Sequence, residues 1–233
     1  MPPGPRRAGG DGAGQGCVVK KRSSSKAWLR EHRADPYVQR ALREGYRSRA
    51  CYKLLELQQR HQLLRPGMTV VDLGSAPGGW SQVAAELVGA RGRVVASDLL
   101  PMEALPGVTF VQGDFDDEAV LAAIFHELGE TGADLVLSDM APNMSGMAAV
   151  DQPRAILLAE LALDLAQRML QPGGAFVCKV FHGEGFEALL AAARGSFRQV
   201  QTRKPAASRP RSREAYLVAR GAIENGAAAP TIR

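Results

Sequence analysis

Short apolar runs alternate with longer amphipathic stretches along most of this chain. The runs are rich in β-branched residues and are bounded by Gly, Pro or Asp, the pattern of strands buried on both faces. They predict strands at about 69–73, 93–97, 109–112, 134–138 and 174–180. Between them the apolar positions recur at helical spacing, predicting helices at about 79–88, 116–128, 152–170 and 185–194. Such alternation implies βαβ units and a mostly parallel sheet. The end of the chain departs from it. Strands at 198–203 and 215–219 are separated only by KPAASRPRSRE, which holds two prolines and no helical pattern. A parallel crossover needs a dozen or more residues, so these two strands run antiparallel.

Ahead of the sheet the pattern is helical. Asp35 caps a first helix, Pro36 suits its first turn and Gly45 ends it. Ser48 caps a second, reaching about Gln59, before the break at Arg65-Pro66-Gly67. Residues 1–22 read as a disordered basic leader and 222–233 as a flexible tail, leaving one domain at 23–221 with a helical segment at about 23–60.

Composition narrows the class. Of 233 residues 45% are hydrophobic, enough for a large core, yet no run of 18 apolar residues predicts a membrane span. The leader lacks the apolar stretch of a secretory signal. Cys17, Cys51 and Cys178 are far apart and show neither disulfide nor metal spacing, which suits a reducing cytoplasm. The two later cysteines read as packing residues, and His61, His126 and His182 have no metal-ligand spacing.

Charge is segregated. Residues 1–53 carry 13 Lys/Arg against 4 Asp/Glu, residues 54–197 carry 8 against 18, and residues 198–233 carry 8 against 2. An acidic body between two basic ends points to a polyanionic partner, held through counterion release. Three clusters stand out: Lys20, Lys21, Arg22, Lys26, Arg30 and Arg33; then Arg40, Arg43, Arg47 and Arg49; then Arg203, Lys204, Arg209, Arg211 and Arg213.

The chemistry gathers where strands end. TVVDLGSAPGGW joins a buried strand to a glycine-rich turn that opens a helix, where ligands bind in open α/β sheets. Its glycines let the backbone turn tightly and approach a ligand, but their spacing is not the G-x-G-x-x-G of a dinucleotide cradle. Asp72, Asp98, Asp114 and Asp139 recur at successive strand ends. Four carboxylates on one sheet edge call for a cationic or hydroxyl-rich ligand, and an acid after the second strand is the usual partner of ribose hydroxyls. Lys179 ends the apolar strand AFVCKVF and needs a partner, which Asp139 can supply. By spacing alone Lys53 and Glu214 read as ordinary surface charges.

The ordered motifs SRACYKL, VVDLGSAPGGWSQ, SDLLPM, QGDF, SDMAPNMSG, VCKVF and SREAYLVA closely resemble the FtsJ/RrmJ family of RNA ribose 2′-O-methyltransferases, over about residues 22–221. The resemblance implies a Rossmann-like class I fold: an α/β, mostly parallel seven-stranded sheet with an antiparallel last strand and helices on both faces. It implies S-adenosylmethionine as methyl donor and assigns a catalytic set to Lys53, Asp139, Lys179 and Glu214. Donor-binding positions fall on Gly78, Trp80, Asp98, Asp114 and Asp139. Within the family the motifs are most similar to members acting on bacterial large-subunit (23S) ribosomal RNA. The implied partner is thus ribosomal RNA, bound by the basic ends including the segment 23–60, with a monomer and neither metal nor membrane. Transfer RNA as substrate, or a non-catalytic assembly factor on the same scaffold, are the rival readings. A base-nitrogen methyltransferase fits less well, because the turn after the fourth strand is SDMAPN.

Overall fold

Strand β1 (Thr69–Leu73) lies near the middle of a seven-stranded sheet ordered β3-β2-β1-β4-β5-β7-β6. The other strands are β2 (Arg93–Asp98), β3 (Val108–Gln112), β4 (Ala133–Ser138), β5 (Leu170–Phe181), β6 (Phe197–Arg203) and β7 (Glu214–Ala222). In this computed structural model the described residues are 34–209 and 211–223, and from Pro36 onward they belong to one compact unit. The predicted leader and the first basic cluster lie outside them, as does the tail from residue 224. Six α-helices are described, α1 (Pro36–Glu44), α2 (Cys51–His61), α3 (Gly79–Val88), α4 (Glu118–Leu128), α5 (Ala148–Met169) and α6 (Phe186–Ser196), with a single 3-10 turn at Gly89–Arg91 between α3 and β2.

Strands β1 to β5 pair in parallel, whereas β7 pairs antiparallel with both β5 and β6. The predicted reversal follows from the short link out of β6, which has no room for a crossover helix. Alternation along each strand sends side chains to two apolar layers. Val71, Leu73, Val95 and Val136 pack with α4, α5 and α6 on one face. Val70, Val94, Leu135 and Val177 pack with Leu54 and Leu57 of α2 and Val83 of α3 on the other. Each such fully buried aliphatic side chain contributes roughly 1.5–3 kcal/mol.

Two boundaries differ from the sequence reading. Helix α2 begins at Cys51, and Ala50 at its N-terminus is already in helical conformation with no side-chain cap. Ser48 instead packs against α3, its Oγ lying 2.2 Å from where a Cβ on Gly79 would stand. Helix α5 starts at Ala148, a turn earlier than its pattern suggests, because Asp151 gathers the preceding loop by accepting the Ser145 and Gly146 N–H groups at 2.8 and 3.0 Å.

Candidate active site

Strand order reverses between β1 and β4: the chain moves outward from β1 to β3, then returns to lay β4 on the opposite side. Such a switch point leaves a crevice at the carboxyl ends of the strands. A cleft of about 180 Å³ lies there. Asp72 and the turn Gly74–Pro77 form one side, Asp139 the next, and Ser48, Arg49 and Ala50 from the link before α2 close it with Trp80. A second hollow, of about 320 Å³, lies between α6 and β6 and carries none of the candidate catalytic or donor-binding residues.

The four residues assigned to catalysis converge as two ion pairs. Lys179 Nζ lies 2.9 Å from Asp139 Oδ1 and donates to the Asp139 carbonyl at 2.6 Å. Lys53 Nζ lies 2.7 Å from Glu214 Oε1, and each side chain is only 11% exposed. The reading of Lys53 and Glu214 as surface charges is therefore corrected: α2 packs over the apolar layer beside β7 and carries Lys53 inward with it. Tyr216 joins the two pairs. Its hydroxyl donates to Asp139 Oδ1 at 2.7 Å, and Lys53 Nζ stands 5.5 Å from its ring centre. Ser208 adds a hydroxyl donated to Glu214 Oε1 at 2.8 Å. Sequence reasoning passed over both. Tyr216 carried a signal, since residues two apart on a strand share a face. Ser208 carried none.

Burial works to raise the Asp139 carboxyl, but Lys179, Lys53 and the hydrogen bonds from Lys179 and Tyr216 outweigh it and hold the group below the ordinary carboxylate range. Asp72 goes the other way. Burial pushes it up to about 7, against the Ser81 hydroxyl bond of 2.6 Å and with help from Asp139 and Asp98. Its Oδ1 has no hydrogen-bond partner, nor has the buried Ser75 Oγ nearby. Burial likewise lifts the Cys51 and Cys178 thiols to about 12, so both are inert packing groups at neutral pH.

The donor-binding candidates are spread more widely. Trp80 lines the cleft, but its indole N–H is committed to the Ala50 carbonyl at 2.8 Å. Asp98 stands beside the cleft, where its two oxygens accept the Ala76 and Leu100 N–H groups at 2.9 and 2.8 Å. Asp114 is exposed beyond β3 and accepts the Asp116 N–H at 3.1 Å. Gly78 has φ of +102°, and a Cβ there would meet Met102 Sδ at 2.8 Å. A Cβ on Gly74 would meet Met140 Cγ at 2.3 Å. The Met102 and Met140 side chains thus brace the turn, while Gly74 and Gly79 also line the cleft.

Does the cleft fit S-adenosylmethionine? The donor carries a sulfonium, an ammonium and a ribose. Unpartnered Asp72 Oδ1 and Ser75 Oγ, with Asp139 beyond, offer acceptors to cationic and hydroxyl groups. The residues present fit the group. Among the described residues no cluster of His, Cys, Asp or Glu is arranged to hold a metal ion, and no helix is long and apolar enough to cross a membrane.

A doubly wound sheet with one reversed strand, and an acidic cleft at its switch point, defines a Rossmann-like methyltransferase. The chain belongs to the FtsJ-like methyltransferase family, whose profile matches residues 46–222. Ribosomal RNA large subunit methyltransferase E of Pseudomonas paraeruginosa is 61% identical over 203 residues, spanning 87% of this chain and 98% of that protein. The protein of the same name from Chromohalobacter salexigens is 65% identical over 198 residues, or 85% of this chain and 94% of the relative. A solved Plasmodium falciparum structure named for ribosomal RNA methyltransferase superposes with a TM-score of 0.67 at 28% identity, covering 76% of this chain and 99% of that one.

The raised Asp72 carboxyl makes a prediction. Because the folded group holds its proton up to about pH 7, its ionisation costs stability progressively as pH rises from about 4 to 7. A cation bound beside it prefers the ionised form. S-adenosylmethionine affinity is therefore expected to fall about tenfold between pH 8 and pH 6, and Asp72→Asn to flatten that dependence. Calorimetry at the two pH values checks it; equal affinity in the wild type refutes it.

Proposed function

We propose that this protein methylates the 2′-hydroxyl of a ribose, a uridine's, in large-subunit (23S) ribosomal RNA, acting in the cytoplasm as a monomer on the assembled or late-assembling subunit. The observation that carries the reading is the meeting of two buried lysine–carboxylate pairs on Tyr216 beside an acidic cleft. Relatives named for large-subunit ribosomal RNA methylation support the substrate.

When bound, S-adenosylmethionine supplies an electrophilic methyl on a sulfonium. Asp72 and Asp139, which line the cleft, favour a cation there. Lys179 directs donors at the Asp139 carbonyl and carboxylate, and an ammonium has three. The remaining one orients the ribose 2′-oxygen and steadies the negative charge that develops there. Lys53, fixed by Glu214, holds the second positive charge of the site, and alignment of oxygen with methyl supplies much of the rate.

RNA is held by phosphate contacts from the basic regions. The link Lys204–Arg213 is docked on α2, with Glu56 accepting the Ala206 and Ala207 N–H groups at 2.7 and 2.9 Å. It carries Arg209, Arg211 and Arg213 next to Glu214. Charge reversal at Arg209 and Arg211 is expected to weaken RNA binding and lower the slope of log K against log salt by about 2. A slope equal to that of the wild type counts against this surface.

The function is tested by labelled-methyl transfer to unmethylated large subunits, naked ribosomal RNA, transfer RNA and capped messenger RNA. Label in alkali-resistant dinucleotides from the ribosomal substrate is the expected result. Label confined to transfer RNA would replace the substrate, and donor binding without transfer to any RNA would favour an assembly factor.

A further inference from the structure

Arg47 reads from sequence as one of four arginines in a phosphate-binding cluster. Its contacts are of another kind. It lies in the link between α1 and α2, where its Nη1 donates to the Glu103 carbonyl at 2.6 Å and the Pro77 carbonyl at 3.3 Å. Its Nη2 donates to the Ala104 carbonyl at 2.8 Å. The same residue's backbone N–H donates to Gln82 Oε1 at 3.1 Å, and Gln82 Nε2 donates back to the Gly45 carbonyl at 3.0 Å. One guanidinium therefore ties three separate segments together: the link itself, the glycine turn after β1 and the loop after β2.

Two of the three line the cleft, and the third packs against Gly78 through Met102 and Leu105. Pro77 lines it, and so do Ser48, Arg49 and Ala50, which follow Arg47 in the chain. Asp98 grips the same turn from the other side through the Ala76 N–H. A Cβ on Gly78 would lie 3.1 Å from Arg47 Nη1, so this turn approaches the guanidinium as closely as only glycine permits. Carbonyl oxygens can only accept, and a planar fork with five donors can serve three at once. An ammonium at the end of a flexible stem cannot reproduce that geometry.

We propose that Arg47 is a positioning residue for the methyl donor, holding the turn Ala76–Gly79 and the loop 99–105 against the N-terminal link so that the cleft is formed before the donor arrives. The proposal rests on the reading that the donor occupies this cleft. Preorganisation of this kind shows in donor affinity and leaves RNA affinity alone.

The test is calorimetric titration of S-adenosylmethionine into the full chain, with steady-state kinetics and RNA binding at several salt concentrations. Arg47→Ala is expected to raise the donor Kd and KM about tenfold, with kcat at saturating donor within about threefold of the wild type. The salt slope of RNA binding stays unchanged. Arg47→Lys keeps the charge but loses the fork, so it is expected to recover less than half of the lost affinity. It is also the variant to use should Arg47→Ala lose its folded circular dichroism. Donor Kd within twofold of the wild type in the variants overturns the proposal, as does a salt slope lowered by about 1 in Arg47→Ala, the loss of one phosphate contact. A wild-type protein that binds no donor overturns it together with the reading of the cleft; a wild type that binds while Arg47→Ala is indifferent overturns it alone.

Discussion

Lys179→Ala is expected to slow methyl transfer by about 10³-fold while leaving S-adenosylmethionine bound at least as tightly as in the wild type. The two halves of this expectation have one origin. Lys179 contacts Asp139 through both its carbonyl and its carboxylate, so its removal takes away the charge that faces the ribose oxygen. It also leaves Asp139 less neutralised, and a less neutralised carboxylate attracts a cationic donor more strongly. Single-turnover transfer and donor calorimetry separate the two effects. Lys179→Arg then discriminates between roles. A guanidinium can orient an oxygen and stabilise charge, but it does not give up its proton. Recovery of more than about a tenth of wild-type transfer by Lys179→Arg marks the orienting role, and a flat pH profile of the transfer step from about pH 6 to 10 accompanies it. A Lys179→Ala variant within tenfold of the wild type would remove this residue from the chemistry.

The second large effect is on stability. Lys53 and Glu214 face each other at 2.7 Å with little solvent around either. Breaking a buried pair by removing one member costs far more than the pair contributes, because the survivor keeps its desolvation penalty. Lys53→Ala is expected to destabilise the domain by about 3 kcal/mol, a fall in Tm of roughly 6–12 °C for a chain of this size. The double variant Lys53→Ala/Glu214→Gln neutralises the stranded carboxylate and should regain more than half of that loss. Melting curves of the three proteins without ligand decide the matter. A drop of under 2 °C in the single variant, or a double variant no better than the single, would show that solvent reaches the pair freely.

Much of the architecture was legible because local pattern and global fold agree. Val70 and Val71, Val94 and Val95, and Leu135 and Val136 are apolar on both faces, as only a sheet covered on both sides requires, and they occupy strands where the pattern placed them. The reversal of β7 was readable from the length of KPAASRPRSRE. What escaped was whatever depends on which element lies over which. Burial of Lys53 is a property of where α2 rests, and nothing in SRACYKL by itself tells a surface lysine from a buried one. Ser48 has the chemistry of a helix cap, yet the approach of α3 gives it another task. The second arginine cluster looked like one surface, but Arg40 pairs with Glu44 at 2.8 Å and Arg49 donates to the Ala207 carbonyl, so geometry divides what composition had grouped. Asp98 and Asp114 were identified as strand-end acids, but their backbone partners became visible only with the turns folded around them.

The position of β7 bears on how the enzyme comes into being. Among the described residues this is the last strand along the chain, and it is laid between two that precede it, β5 and β6. It also brings Glu214 and Tyr216, on which both lysines depend. A nascent chain can pair β1 to β5 as each emerges, but it must hold β5 and β6 apart, or release one from the other, to admit the final strand. Until then Lys53 has been made without its carboxylate, and Asp139 without its phenol. Assembly of the paired lysines is therefore a late event of folding, because it waits on the insertion of β7 between two strands that are already made.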